Sequence, residues 1–327
     1  MDHKPSTEYD DIFLFSEYAV EQNGSIAIYG QYDPHKLDRS FANHLELLQE
    51  EKPIACKIKC FKKRNDFRIS IKKVALSFTE PITARLKTTQ NTTSIKPLQL
   101  SHLVKPNAVT IVTMVKNYAH RIVEWIDYHI TLGFSHVVIF DNGSTDGLEE
   151  VLNKYSRDQI TLIPFPYTPF PNRCFADTQR IAHNIGVNAL KKRCAWVCLL
   201  DADEFVYLPK MKPMNIERFL SHPLYQYFKA ICMPSILLTN KAVDETFNNN
   251  LLDRCRYTDN KPKYTKLFLN QRSPSSIPFL KNPHRIRGQL KLGRRKIYHG
   301  HIWANKRMQY DTQMIEIHDF IETKKIN

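Results

Sequence analysis

The sequence predicts an α/β protein: an open, mostly parallel sheet flanked by helices, preceded by a small, mostly β region. Two observations carry this. Short β-branched runs without polar alternation recur from Ala108 onward and are separated by segments of helical spacing, the pattern of strands buried on both faces of a parallel sheet. Residues 1–100 read differently: they hold β-prone runs, and 55–78 alternates apolar and basic residues, as strands with one wet face do. A third observation sets the scale. With 327 residues, 42% of them hydrophobic, the chain has material for one large domain and a small one, at roughly 100–200 residues per domain.

In chain order, residues 12–32 hold two β-prone runs around a Gly-Ser turn. FANHLELLQEE (41–51) has the spacing of a short amphipathic helix. ACKIKCFKKRNDFRISIKKVALSF (55–78) alternates apolar and basic residues, and the Thr/Asn/Pro-containing stretch 81–100 reads as a linker. The division expected is therefore 1–100 as an accessory, mostly β region with linker and 101–327 as the catalytic domain. The accessory region would position the acceptor or a membrane surface with Lys57, Lys59, Lys62, Lys63 and Arg64 exposed, or serve as a packing module. A chain beginning near Ser101, if it folds, is then expected to bind UDP with near-normal affinity but to act poorly on the acceptor.

AVTIVTMV (108–115) is the first buried strand. HRIVEWIDYHITLG follows, a helix placing Ile122, Trp125, Ile126 and His129 on one face with Gly133 as its C-terminal stop. SHVVIF is the second strand and ends in the turn-forming DNGSTDG. LEEVLNKYSRD is a helix with Ser144 and Thr145 near its start as caps. QITLIPF, the helix DTQRIAHNIGVNALKKRC and the strand AWVCLL, leading into DADEF, complete the unit. Trp125, Trp196 and Trp303 suit the core, and Trp303 also suits stacking on a sugar ring.

The net charge is +14, and its excess is uneven: 52–73 holds nine basic residues and one acid, and 281–307 nine basic residues and none. Such stretches suit anionic partners or a solvated basic face. The odd count of 7 Cys, without CxxC spacing, fits reduced thiols. An apolar run long enough to cross a bilayer, about 18 residues, and the order of a signal peptide are both missing. The expectation is a cytoplasmic protein.

In open α/β sheets ligands bind at the carboxyl ends of strands, and three segments place polar residues there: Lys116-Asn117, Asp141 to Gly147, and Asp201-Ala202-Asp203-Glu204. Asp201-x-Asp203 offers two hard oxygen donors of the kind that hold Mg²⁺ or Mn²⁺ with substrate phosphates; the same pattern also occurs in turns and caps. Asp141 suits a bond from a base or ribose, and equally an Asx-turn. Neither the GxxxxGK[ST] nor the GxGxxG pattern is present.

Residues 108–310 resemble glycosyltransferase family 92 and its bacterial relatives, within the wider GT-A fold of nucleotide-sugar transferases. The resemblance rests on KN…EWIDYHITLGFSHVVIFDNGSTDG, TQRIAHNIGVNAL, WVCLLDADEFVYLP, Lys266-x-Phe268 with Asn282-Pro283-His284, and His299-Gly300-His301-Ile302-Trp303. Tyr118 stands where the family has an acid. The resemblance implies a nucleotide-sugar site at Asn117, Asp141, Gln179, Asn184, Asp201 and Lys266. It implies a divalent metal, Mn²⁺ or Mg²⁺, at Asp201 and Asp203, completed by His284 or His301; imidazole favours Mn²⁺. Lys266, Arg285 or Arg287 would add positive charge at the leaving group.

The expected reaction moves a hexose from a UDP-type donor to a glycan or glycolipid acceptor with inversion. That needs a carboxylate base, for which Glu204, Asp244 and Asp253 are candidates. The basic stretches would allow peripheral contact with an anionic membrane. A basic nucleic-acid-binding protein and a nucleotidyltransferase on a similar fold are the alternatives. No RRM, KH, zinc-finger or helix-turn-helix signature accompanies the former.

Overall fold

The computed structural model describes residues 14–15, 18–22, 24–33, 35, 37, 39–61, 65–72, 77–88, 92–100, 104–166, 175–240, 255–257, 265–273, 279–293, 297–302 and 315–316. The chain divides into two compact units, Met1–His102 with Tyr167–Lys191, and Leu103–Pro166 with Lys192–Asn327.

The first unit is a sheet of nine strands: β1 (Leu14–Phe15), β2 (Tyr18–Gln22), β3 (Ser25–Tyr32), β4 (Leu45–Gln49), β5 (Lys52–Ile54), β6 (Cys56–Phe61), β7 (Asp66–Lys72), β8 (Ile82–Leu86) and β9 (Thr92–Leu98). Its order is β5-β4-β8-β9-β2-β3-β7-β6, with β1 on β3. Gly24 at φ 74° makes the β2–β3 hairpin turn, a backbone state that glycine adopts without strain. Lys57 and Lys59 of β6 are exposed, as the alternation requires.

Two expectations for this region fail. LELLQ is strand β4, preceded by a 3-10 turn at Arg39–Asn43: its Leu45, Leu47 and Leu48 bury against β8 and β5, so tertiary pairing overrides helix propensity. The supposed linker contains β8 and β9, paired from Ile82↔Ile95 to Arg85↔Thr92. Its buried Ile82, Ala84, Leu86 and Ile95 supply the alternation that its Thr and Asn content obscured.

The second unit carries β10 (Val109–Val115), α1 (Ala119–Thr131), β11 (His136–Asp141), α2 (Leu148–Leu152) and β12 (Ile160–Pro164). Helix α3 (Phe175–Ala189) comes next in sequence but groups with the first unit, where it lies against β2 and β3. The second unit resumes with β13 (Trp196–Leu199), β14 (Glu204–Tyr207), α4 (Ile216–Leu220), β15 (Ala230–Asn240), β16 (Cys255–Tyr257), β17 (Thr265–Asn270), β18 (Gln289–Lys291), β19 (Tyr298–Ile302) and β20 (Ile315–Glu316).

β12-β11-β10-β13 run parallel. Beyond β13 the order continues β17-β15-β16-β20 with antiparallel pairings, while β18 and β19 add to β15 in parallel. The sheet is therefore mixed rather than mostly parallel. Parallel neighbours need a crossover of a dozen or more residues, usually a helix, and between β13 and β17 the described helices are only α4 and a 3-10 turn at Pro223–Tyr227.

Helix α1 ends in a Schellman motif. Phe134 N–H donates to His129 O at 3.0 Å and Gly133 N–H to Ile130 O at 2.9 Å, with Gly133 at φ 98°. The His129 and Phe134 rings meet edge to face at 5.4 Å, the apolar contact that accompanies this cap. Helix α2 begins at Gly147, φ 80°, without a side-chain cap. Ser144 and Thr145 therefore do not cap it, and both bond Asn117 instead. Cys194, Cys198 and Cys232 are buried and form no disulfide. No helix among the described residues is long and apolar enough to cross a membrane.

Candidate functional site

Three strand ends build the site. After β10 the chain turns through Asn117 at φ 53°, a left-handed conformation that Asn tolerates better than most residues. Its N–H donates to Ser144 Oγ at 2.9 Å, and its Oδ1 accepts from Thr145 N–H at 2.8 Å. Asp141, ending β11, accepts Ser144 N–H through Oδ1 at 2.9 Å. Asp146 accepts Ala119 N–H at 2.8 Å and so caps α1, whose N-cap residue Tyr118 has no capping side chain. The loops after β10 and β11 are thus stitched into one edge. Asn142 is buried and donates to Phe165 O at 2.9 Å.

The third end is the sharpest. Leu200 leaves β13, and Asp201-Ala202-Asp203 turns with Glu204 N–H donating to Asp201 O at 3.0 Å. Glu204 then folds back, its Oε2 accepting Asp201 N–H at 3.1 Å. From the antiparallel neighbour β17, Lys266 places Nζ 2.5 Å from Asp201 Oδ2 and 3.1 Å from Glu204 Oε2. The lysine and Glu204 side chains are 3% and 2% exposed, whereas Asp201 is 31% exposed. Burial acts to lower the Lys266 pKa, but the charges of Asp201 and Glu204 outweigh it and hold the pKa above its ordinary value.

Helix α1 holds this turn in place. Trp125 Nε1 donates to Glu204 O at 2.7 Å, Tyr128 Oη to Val206 O at 2.6 Å, and His129 Nε2 accepts Val206 N–H at 3.4 Å. His129 Nδ1 meets the Trp125 carbonyl at 2.7 Å; a carbonyl only accepts, so Nδ1 carries the proton. Burial pushes the His129 pKa down to about 3, and the ring is neutral. The Glu-Trp-Ile…His segment of α1 is thereby the clamp on the strand that follows Asp201-x-Asp203. The sequence assigned these residues to a buried face; their common bond to one distant strand was not readable from spacing.

His284 Nδ1 lies 2.7 Å from Thr265 O, so it donates and the neutral ring keeps its lone pair on Nε2. Burial and the Lys266 charge lower its pKa, against the Thr265 bond and the Asp201 charge. Asp203 is half-buried, and its charge, after burial, helps push Tyr118 up to about 12. The donor set therefore fits a divalent cation in kind: carboxylate oxygen from Asp203 and Asp201, and imidazole nitrogen from His284. Among the described residues no group of three or more His, Cys, Asp or Glu side chains is gathered as a metal site, and Lys266 sits against Asp201.

Gln179 is half-buried and Asn184 fully buried on α3, in the first unit; Asn184 Nδ2 donates to Arg180 O at 2.8 Å. Arg285 and Arg287 are exposed. His301 pairs in register with Glu204 and Leu237 through the backbone, and its side chain lies outside the description. Asp244, Asp253, Trp303, Lys62, Lys63 and Arg64 lie outside the described residues.

The family pattern named Glycosyltransferase family 92 matches residues 105–288. A glycosyltransferase family 92 protein of Oryza sativa subsp. japonica is 35% identical over 107 residues, 32% of this chain and 17% of the relative. One from Ricinus communis is 32% identical over 106 residues and one from Arabidopsis thaliana 29% over 106, again 32% of this chain and 17% of each relative. The chain thus covers about a sixth of the length of the curated relatives it matches. The matched span takes in the stitched loops, the Asp201–Glu204 turn, Lys266 and His284, and on it the chain belongs to glycosyltransferase family 92.

Proposed function

We propose that the chain is a metal-dependent glycosyltransferase of GT-A type that moves a hexose from a nucleotide-diphosphate sugar, of the UDP class, to a glycan or glycolipid acceptor with inversion. The observation that carries this reading is the Asp201-x-Asp203 turn at the carboxyl end of β13, held against Lys266 within the family span. Asp201 and Asp203 would hold Mn²⁺ or Mg²⁺ together with the phosphate oxygens of the donor, and His284 belongs to the metal site by resemblance. The ion, when bound, neutralises charge developing on the diphosphate. Asn117 and Asp141 present the stitched loop edge to the nucleoside, and Gln179 and Asn184 belong to the donor site by resemblance. Lys266 holds the Asp201 carboxylate in place. Glu204, buried on that lysine, acts as its counter-charge, which leaves Asp244 and Asp253 as bases for the acceptor hydroxyl. The basic stretches support work in the cytoplasm against an anionic membrane surface.

The test is calorimetric titration of UDP and UDP-hexoses with Mn²⁺, Mg²⁺ or EDTA, followed by donor turnover. UDP should bind only with the cation. Asp203→Ala should lower turnover at least about 10²-fold with an unchanged melting temperature. Full turnover in excess EDTA, or diphosphate release from nucleoside triphosphates, would defeat the proposal; the latter marks a nucleotidyltransferase.

A further inference from the structure

At the opposite end of the same strands lies an open groove of about 710 Å³, lined by Trp196, Leu220, Glu217, Arg218, Gln226 and Arg272 among others. Trp196 opens β13, so the groove sits about five residues, or roughly 16 Å of extended chain, from Asp201. It lies wholly in the second unit and shares no residue with the site described above.

Its walls are fixed while several polar groups remain unspent. Asn270 Nδ2 donates to Gln226 O and Phe228 O, both at 3.1 Å, and its Oδ1 accepts the Arg272 and Ser273 N–H groups. One Arg272 nitrogen, Nη2, is held by Pro106 O and the Asn107 side chain. Glu217 uses Oε1 to accept from Ser135 Oγ at 2.6 Å. Among the described residues the Trp196 indole N–H, the Arg218 guanidinium, the Gln226 amide and Glu217 Oε2 make no hydrogen bond. Tyr227, between the two anchored carbonyls, is 86% exposed.

The mixture decides the ligand class. An inorganic anion needs donors alone, and the Glu217 carboxylate would repel it. A polyhydroxyl chain offers a donor and an acceptor at each hydroxyl, which suits Glu217 and Gln226 beside the two arginines. An open groove lets a chain pass through. We propose that this groove binds an oligosaccharide stretch of the acceptor glycan, away from the transfer site. Its source as acceptor rests on the glycosyltransferase reading; the groove's chemistry does not.

Maltohexaose, chitohexaose and galactotetraose serve as probes in saturation-transfer NMR and calorimetry on the full chain, without donor. At least one should bind, and the exposed-residue variant Arg218→Ala/Gln226→Ala should weaken it at least about tenfold while leaving UDP binding with Mn²⁺ unchanged. Absence of binding by all three up to about 10 mM, binding indifferent to the variant, or displacement by inorganic phosphate each overturns the proposal. UDP titration of the same samples reads the enzymatic assignment separately. Oligosaccharide binding without UDP binding would sink that assignment and leave the groove standing.

Discussion

The two units each bury a cation between two carboxylates, and the pairs differ in how they are finished. In the first unit Arg180 donates to both oxygens of Asp66, at 3.1 and 2.9 Å, and to Asp177 at 2.9 Å, while Gln31 adds a third bond to Asp66 at 2.8 Å. The Arg180 and Asp66 side chains are each 2% exposed. This is a closed joint between α3 and β7, with the planar guanidinium fork matched to a carboxylate. In the second unit Lys266 is as deeply buried, but one of its partners, Asp201, reaches solvent. A lysine is a point charge without a fork, so it fixes Asp201 from one side and leaves a charged carboxylate at the sheet edge. The first joint is closed on all sides, and the second leaves one carboxylate open to solvent.

The largest test of this contrast removes the first unit's strands. A chain beginning at Ser101 lacks β2, β3 and β7, against which α3 packs and pairs. Arg180 would lose Asp66, and the apolar face around Ile181 and Ile185 would lose its cover. Such a chain should therefore lose α3: limited proteolysis should cleave within 175–189. A soluble, protease-resistant product binding UDP normally would break the comparison.

Next come the paired substitutions Lys266→Met and Arg180→Met. Each strands a buried carboxylate, Glu204 or Asp66, and each should cost about 3–5 kcal/mol in urea denaturation. Only the Lys266 variant should also weaken UDP binding with Mn²⁺, at least about tenfold. Equal loss of affinity in the folded fraction of the Arg180 variant would mean that the closed joint also positions the donor-site residues of α3.

Acid sharpens the contrast from another side. His129 is neutral with a folded pKa of about 3, against an ordinary value of 6.5. The unfolded chain therefore binds more protons between those values, and stability is full above about pH 6.5 and falls as pH drops toward 3. This one group accounts for a loss on the order of 4–5 kcal/mol across that window. Denaturation at stepped pH should show it, and the His129 ring proton shifts should stay flat down to about pH 4. Titration near pH 6.5 would remove His129 from its clamp on Val206.

The smallest effect belongs to the loop edge. Asp146→Ala removes the cap on Ala119 N–H and should cost about 1 kcal/mol, read as a shift of the urea midpoint. No shift would mean that Asn117, Ser144 and Thr145 hold that edge without it.

The parallel core was legible because its strands are buried on both faces, and burial leaves uninterrupted runs such as Thr110–Val115 and Val137–Phe140. The α1 face and its glycine stop were legible for a similar reason, since period and cap are local. LELLQ and the Thr-rich stretch to Leu98 were misread because short strands borrow their stability from partners tens of residues away. The pairing Leu45↔Leu86 leaves no local trace.

What the sequence determined by itself was local chemistry and local period: which runs are strands, where acids fall at strand ends, and that Asp201 and Asp203 leave a buried strand. Tertiary structure alone decided which charges meet. Lys266 reaches Asp201 across 65 residues because β17 runs antiparallel to β13, and Arg180 reaches Asp66 across 114 because α3 lies on the first sheet rather than the second. A buried charge takes whichever opposite charge the folded backbone brings within about 3 Å, and that partner is set by strand order and direction, which residue spacing does not encode.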